Sequence, residues 1–289
     1  LEATVDTNIV EFKKNRVEVS FLIDEGNAFS IKTLSYTGMP SFNDSTKVPQ
    51  FLAKSPLTQE RINDSTFAVN QRYSENQLSN ERNRIITFLK NNGFAAIQRD
   101  SINVLMKRDS TNKYNLDALL TVNPGKKYRF GDLFISLSGP GDSLNYNQSD
   151  TLSQSPFTIN NKSIFLQKEK SAQTKFSLLT NQVLFEPGDV FDNSLYIRTV
   201  NEFQNLGMLS IQQFGLSEDG SLPDYSKDEI PVMFSLQTLP KHSLNLNLFG
   251  MKRYGFGSGA GITYTNNNLF GKAENLQIGL NGSFEYVSS

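Results

Sequence analysis

The chain has 289 residues, a formal net charge of −1, one His and neither Cys nor Trp. Near-neutral charge argues against a nucleic-acid binder, which normally shows a basic face, and the missing Cys removes disulfides and thiolate metal sites. No run of about 18 apolar residues occurs, which excludes a transmembrane helix, while 22 Phe and 10 Tyr amid much Asn, Ser and Thr favour β-rich structure with polar loops.

Leu1-Glu2-Ala3-Thr4 has no basic start and no apolar stretch, so it is not a signal peptide and the sequence reads as a mature fragment. Residues 1–25 predict a hairpin: an alternating strand, the polar turn Lys13-Lys14-Asn15-Arg16, then a strand whose Val17, Val19, Phe21 and Ile23 share a face. After Gly26 comes another alternating strand, with Phe29, Ile31 and, out of step, Leu34. This junction of strand, Gly or Pro break and strand recurs twice. Its second copy has Leu116, Ala118, Leu120 and Val122 before Gly125, then Tyr128, Phe130 and Phe134. In the third, Ile230, Val232, Phe234 and Leu236 precede Pro240, followed by Leu244, Leu246 and Leu248. Period-two alternation buries one face of each strand.

A helical block lies between junctions. A short helix is expected near Val48 to Ala53. Leu78, Ile85, Ile86 and Leu89 have helical spacing, with Ser74 as the N-cap and Gly93 as the stop. Leu195, Val200, Phe203 and Leu206 repeat the pattern ahead of Gly207, capped by Asp192 or Asn193. Strands follow each helix, at Ile102-Val104-Met106 and Leu209-Ile211. Polar residues 139–162 read as an inserted loop and residues 220–229 as a long hairpin turn.

From Gly255 the chain changes character. Leu276, Ile278, Leu280, Gly282, Phe284 and Tyr286 alternate with Gln277, Gly279, Asn281, Ser283 and Glu285, giving one apolar face and one small or polar face. A soluble sheet turns such an apolar face to a core; a transmembrane barrel turns it to lipid and its polar face to a wet lumen.

This tandem plan resembles the POTRA-plus-barrel architecture of the BamA/TamA outer-membrane assembly family. LKNNGFAAI and its echo FQNLGMLSI are similar to the POTRA step from helix through glycine to middle strand, and PGKKYRFGDLFISLSG to the start of a following unit. GSGAGITYTNNNLFGKAENLQIGLNGSFE is similar to the second and third barrel strands of that family. The implied fold class is α+β: tandem POTRA-like β-α-α-β-β units followed by the first strands of an antiparallel transmembrane β-barrel. Residues 1–25 would be the final hairpin of a preceding unit, 26–125 and 126–240 two POTRA-like domains, the second with its insertion at 139–162, and 241–289 the start of a barrel. Three strands cannot close one, since such barrels begin at about eight.

Catalytic chemistry has little support in the sequence. His242 is the only imidazole, so a Ser-His-Asp triad would depend on it, and it sits at a strand start without a nucleophile-elbow sequence. Zinc needs several His or Cys ligands. GFGSGAG opens a strand, where a dinucleotide fingerprint opens a helix. Asp132 with Asp142, and Glu218 with Asp219, read as solvated loop charges. The expectation is therefore no enzyme and no cofactor.

The resemblance implies binding through backbone groups. In the family picture the middle strand lies at the sheet edge, where unpaired N–H and C=O groups can take an extended peptide. Here that strand comprises Ser101, Ile102, Asn103, Val104, Leu105, Met106 and Lys107 in one unit, and Leu209, Ser210, Ile211 and Gln212 in the other. Asn103 and Lys107 fit equally well an edge defended by polar groups. The first barrel strand, Leu244, Asn245, Leu246, Asn247, Leu248 and Phe249, would line a lateral seam with its leucines toward lipid or core. Implied partners are unfolded or partly folded outer-membrane β-barrel clients, outer-membrane lipid and accessory envelope proteins, with no nucleic acid. The implied place is the outer membrane of a Gram-negative cell, with the POTRA-like units in the periplasm. The alternatives are a dedicated two-partner-type secretion pore, or a soluble periplasmic β-rich binding or structural protein.

Overall fold

The structure, a computed structural model, describes residues 4–12, 16–140, 151–159, 162–169, 172, 174–252, 255–270 and 273–286. The fold is α+β. The chain divides into two compact units, one formed by Leu1–Leu89 with Ala96–Gly125 and the other by Lys90–Ala95 with Lys126–Ser289.

The first unit opens with an antiparallel hairpin, β1 (Thr4–Phe12) and β2 (Arg16–Asp24), in a sheet of its own. Residues 13–15 of the expected turn lie outside the described residues. Then follow β3 (Ser30–Thr37), α1 (Lys47–Ala53), β4 (Glu60–Arg61), β5 (Thr66–Arg72), α2 (Glu75–Lys90), β6 (Ile102–Arg108) and β7 (Asn115–Val122). Five strands form one sheet in the order β4-β5-β3-β7-β6, with β7 parallel to β3 and the other neighbours antiparallel. Ile31, Leu34 and Tyr36 of β3, Phe67 and Val69 of β5 and Ala118 and Leu120 of β7 are buried, as are Leu52 of α1 and Leu78, Ile85 and Leu89 of α2.

Two features of this unit depart from the sequence reading. The β4–β5 hairpin lies between the helices, where the β-α-α-β-β plan has no strand. Thr66–Arg72 is preceded by a turn of Asn, Asp and Ser and buries only Phe67 and Val69 of its seven residues, so its alternation is too short to stand out. Leu34 is out of step for a different reason. Ile31 pairs with Leu116 and Thr33 with Asp117, so β3 carries one extra residue, a bulge at Lys32 that changes which face later residues occupy.

The second unit contains β8 (Arg129–Ser138), β9 (Thr151–Ile159), β10 (Lys162–Glu169), α3 (Phe176–Gln182), α4 (Asn193–Asn205), β11 (Leu209–Gly215) and β12 (Glu229–Thr238). Their sheet order is β11-β12-β8-β10-β9, with β8 parallel to both neighbours. The expected loop at 139–162 is corrected here. Residues 141–150 and 160–161 lie outside the described residues, but Thr151–Ile159 forms β9, paired antiparallel to β10. Its Ser, Gln and Pro content disguises it as a loop. Pro156 is tolerated because β9 is an edge strand and the register slips beside it, between Phe157 and Gln154.

A bulge also corrects the expected position of Phe134. Phe130 pairs with Ile230 and Leu133 with Val232, so β8 holds an extra residue at Gly131 and Asp132. Leu133, Ile135 and Leu137 thereby join Phe130 in the core, while Phe134 stacks on Phe165 at 4.8 Å on the other face. The bulges of β3 and β8 fall at equivalent places, each between the first two buried apolar side chains of the strand, Ile31 and Leu34 in one and Phe130 and Leu133 in the other.

Three helix-end signals are met, at Asp192, Gly93 and Gly207. Asp192 caps α4 by accepting from the Ser194 and Leu195 amides. Gly93 (φ 99°) and Gly207 (φ 65°) adopt the left-handed conformation that stops a helix cheaply only in glycine. The buried face of α4 is Tyr196, Thr199, Val200 and Phe203, one position round from the expected Leu195 and Leu206.

Three long strands complete this unit: β13 (His242–Lys252), β14 (Phe256–Asn266) and β15 (Leu276–Tyr286), a fully antiparallel sheet in chain order.

Candidate functional site

Register assigns each face of the last sheet. Leu244 lies opposite Tyr264, and Tyr264 opposite Ile278; Leu246, Ile262 and Leu280 form the next row. Phe256 and Tyr286 end the same face beside Lys252. These side chains have no core beneath them: Leu246 is 72% exposed, Leu280 71% and Phe284 70%. Burying one such side chain fully is worth about 1.5–3 kcal/mol, which each of the most exposed ones forgoes in water. A patch of this kind marks a surface made for lipid or another protein. Eleven residues rise about 36 Å, and at a tilt near 45° such a strand crosses a hydrocarbon layer.

The opposite face carries Ser243, Asn245, Asn247, Thr263, Thr265, Asn281 and Ser283, with Phe249 and Met251 its two large apolar side chains on β13. Along β14 it is lined by Gly257, Gly259 and Gly261. A Cβ at Gly259 would overlap the Phe249 ring, and one at Gly261 would overlap the Asn281 carboxamide. The spaced glycines thus accommodate neighbouring side chains across the sheet. The sequence signal for this was their period of two.

The chain between β14 and β15 is held to the β12–β13 linker. Asn267 donates its amide N–H to the Lys241 carbonyl at 2.9 Å and its carboxamide to the Pro240 carbonyl at 3.1 Å. Asn275 donates to the Asn267 side-chain oxygen at 3.1 Å, and Asn268 is buried while accepting from the Ala273 amide. A cavity of about 70 Å³ beside this latch is lined in part by Met208, Leu239 and Asn268. Sequence reasoning noticed the Asn run but had no signal for what it bonds.

His242 sits at the start of β13, its Nδ1 2.7 Å from the Tyr264 hydroxyl. Among the described residues no group of three or more His, Asp or Glu is placed to hold a metal ion, and no helix is long and apolar enough to cross a membrane.

The two expected recognition strands are both terminal strands of their sheets. Ile102, Asn103, Val104, Leu105, Met106 and Lys107 lie in β6, whose outer side has no paired strand among the described residues. Ser101 is corrected: it ends a 3₁₀ turn at Arg99–Ser101, where its hydroxyl accepts from the Gln98 amide. Leu209, Ser210, Ile211 and Gln212 lie in β11, at the edge of the second five-stranded sheet. Leu244, Asn245, Leu246, Asn247, Leu248 and Phe249 lie in β13, an edge of the third sheet. Each of the three edges belongs to a different sheet.

Sequence reasoning missed the buried polar cluster of the first unit. Glu81 of α2 is fully buried and accepts from Tyr36 Oη and Ser55 Oγ, both at 2.7 Å. Arg84 reaches it through Nε at 2.8 Å and Nη2 at 2.7 Å, donates Nη1 to the Phe51 carbonyl, and lies 3.8 Å over the Phe51 ring. Burial beside this carboxylate drives the Tyr36 phenol far above its ordinary pKa. The cluster pins α1, α2 and β3 together, a structural role.

The chain is similar to several solved structures. One is BamA from Haemophilus ducreyi lacking POTRA domains 1–3, at 14% identity over 90% of this chain and 37% of that one, with a TM-score of 0.48. A second is POTRA domains 3–5 of Haemophilus influenzae BamA, at 14% identity over 82% of this chain and 72% of that one, TM-score 0.41. A third is CdiB from Acinetobacter baumannii, at 14% identity over 91% and 39%, TM-score 0.36. The chain therefore spans under two-fifths of the first and third of these structures. No family model and no curated protein matches the sequence.

Proposed function

We propose that this chain is part of an outer-membrane assembly factor. Residues 26–125 and 126–240 act as POTRA-like periplasmic domains, residues 1–25 close a preceding one, and residues 241–289 begin a transmembrane β-barrel. One observation carries the reading: β13, β14 and β15 present an exposed, mainly apolar face opposite a face of mainly small and polar groups, at a strand length suited to a bilayer.

On this reading the α+β domains receive unfolded outer-membrane clients along free strand edges, and the barrel passes them into lipid. Leu244, Leu246 and Leu248 of β13 face acyl chains while Asn245 and Asn247 face the lumen. A client strand pairing with the free edge of β13 enters the bilayer with its amides bonded, avoiding several kcal/mol for each group left bare there. The process needs neither ATP nor a cofactor, because client folding drives it.

The test is reconstitution of the full-length protein into lipid vesicles, with folding of an added barrel client followed by gel mobility. Faster client folding in loaded vesicles than in empty ones is expected. A full-length protein that is monomeric and stable without detergent would overturn the membrane reading.

A further inference from the structure

The two α+β sheets do not offer equivalent edges. In β6 the pairing with β7 is regular from Ile102 opposite Val122 to Arg108 opposite Leu116, without a bulge. Hydrogen bonds at both ends fix which backbone groups are used. The Asn123 amide donates to the Ser101 carbonyl at 2.8 Å, and the Asp109 amide to the Asn115 carbonyl at 2.9 Å. In an antiparallel pair, inward bonding recurs at every second residue, so Asn103, Leu105 and Lys107 bond to β7. The N–H and C=O groups of Ile102, Val104, Met106 and Arg108 therefore point out of the sheet at an even spacing.

In β11 that spacing is broken. The Leu239 amide donates to the Met208 carbonyl at 2.8 Å, which makes Ser210 inward-bonding and Leu209 and Ile211 outward. Ile211 then pairs with Leu236 but Gln213 with Ser235, so Gln212 is an extra residue. Beyond it the outward position falls on Phe214, three residues after Ile211. The Gln212 carboxamide is also tied to Ser210 Oγ and to Gln237 Oε1, at 3.3 and 2.9 Å. A bulge turns and twists an edge strand away from new partners. The far edges are closed in other ways: β4 has two residues, and β9 carries Pro156 beside a bulge.

We infer that β6 alone among these edges accepts an added strand, and that its ligand is an extended segment of alternating apolar and polar residues. The alternation follows from the faces of β6. Val104 and Met106 are half-covered on one side, so an adjacent apolar side chain would complete their cover, while Asn103, Leu105 and Lys107 are exposed on the other. This inference rests on the client-receiving reading above and narrows it to one strand.

The probe is a synthetic peptide of the β15 sequence, LQIGLNGSFEY, added to the full-length protein in detergent. Hydrogen exchange needs no variant. The Val104 and Met106 amides are expected to slow at least tenfold with peptide, and the Ile211 and Phe214 amides to change less than twofold. Protection at β11 equal to that at β6, or none at β6, would overturn the inference. As a second arm, Val104→Pro removes an outward N–H and spares the inner ladder. It should cut peptide crosslinking at least tenfold, whereas Ile211→Pro should leave it within twofold; the reverse order would overturn the inference. Circular dichroism confirms that each variant is folded. Vesicle insertion separates the two levels. Peptide protection at β6 with no effect of the protein on client folding keeps this inference and defeats the functional reading. Client folding that proceeds without β6 protection does the opposite.

Discussion

The two α+β units place the same pieces around the same centre and stabilise them differently. In each, a bulged first strand is flanked on one side by the last strand of its terminal hairpin, running parallel to it. The other flank differs. In the first unit it is β5, which follows α1 and runs antiparallel; in the second it is β10, which precedes α3 and runs parallel. The first strand, the long helix and the final hairpin thus define the module, and the remaining place can be filled from either side of the first helix. Their centres differ as well. The first unit is pinned by the Glu81–Arg84 pair with Tyr36 and Ser55, while the second stacks Phe130 on Phe185 at 4.0 Å and sets Phe203 against Phe234 at 5.1 Å.

Substitutions at each centre give the largest expected effects. Glu81→Ala strands a half-buried guanidinium and two hydroxyls and should cost about 3–5 kcal/mol. Phe130→Ala should cost a similar amount, about 3–5 kcal/mol, through lost burial and a cavity. Followed by hydrogen exchange in denaturant, the first change should weaken residues 30–122 and the second residues 129–238. If either change lowered protection equally in both sets, the contrast between the two cores would fail.

A smaller effect sharpens the comparison within α4. Thr199 accepts from the Leu184 amide at 3.0 Å while fully buried, so Thr199→Val leaves that N–H unmatched and should cost about 1–3 kcal/mol by urea denaturation. Below that comes Asp192→Ala, which removes the α4 cap for about 1 kcal/mol by the same measurement. The least effect at neutral pH is expected from Tyr196→Phe. Burial pushes the Tyr196 phenol up to about 12 from its ordinary 10.0. A raised folded-state pKa stabilises below the unfolded value and is lost as pH rises through the folded one. Stability should therefore decline between about pH 10 and 12, and Tyr196→Phe should remove that part of the decline in alkaline melts.

Particular residues explain how far the sequence could be read. The strands β6, β7 and β12 were legible because their apolar residues keep a period of two, in β7 and β12 up to a Gly or Pro break. The bulges in β3 and β8 defeated the same rule, since one added residue moves Leu34 and Leu133 into the core and Phe134 out of it. β9 was hidden by its Ser, Gln and Pro, residues an edge strand tolerates and a central strand does not. Glu81 was invisible because a carboxylate three residues from an arginine on a polar helix resembles solvated surface. Only the tertiary partners Tyr36 and Ser55 reveal that it is buried. Strand edges could be expected, yet whether an edge is open depends on a bulge such as that at Gln212, which no composition rule marks.

The glycine row of β14 has a mechanical consequence. Curling a sheet crowds the side chains on its concave surface and spreads those on its convex one. Gly257, Gly259 and Gly261 carry no side chain of their own and leave room for Met251, Phe249 and Asn281 on their side, whereas Leu246, Ile262 and Leu280 add bulk on the other. Bending toward the glycine side therefore meets less crowding than bending toward the leucines, and on the barrel reading proposed above that is the side that becomes the inner wall.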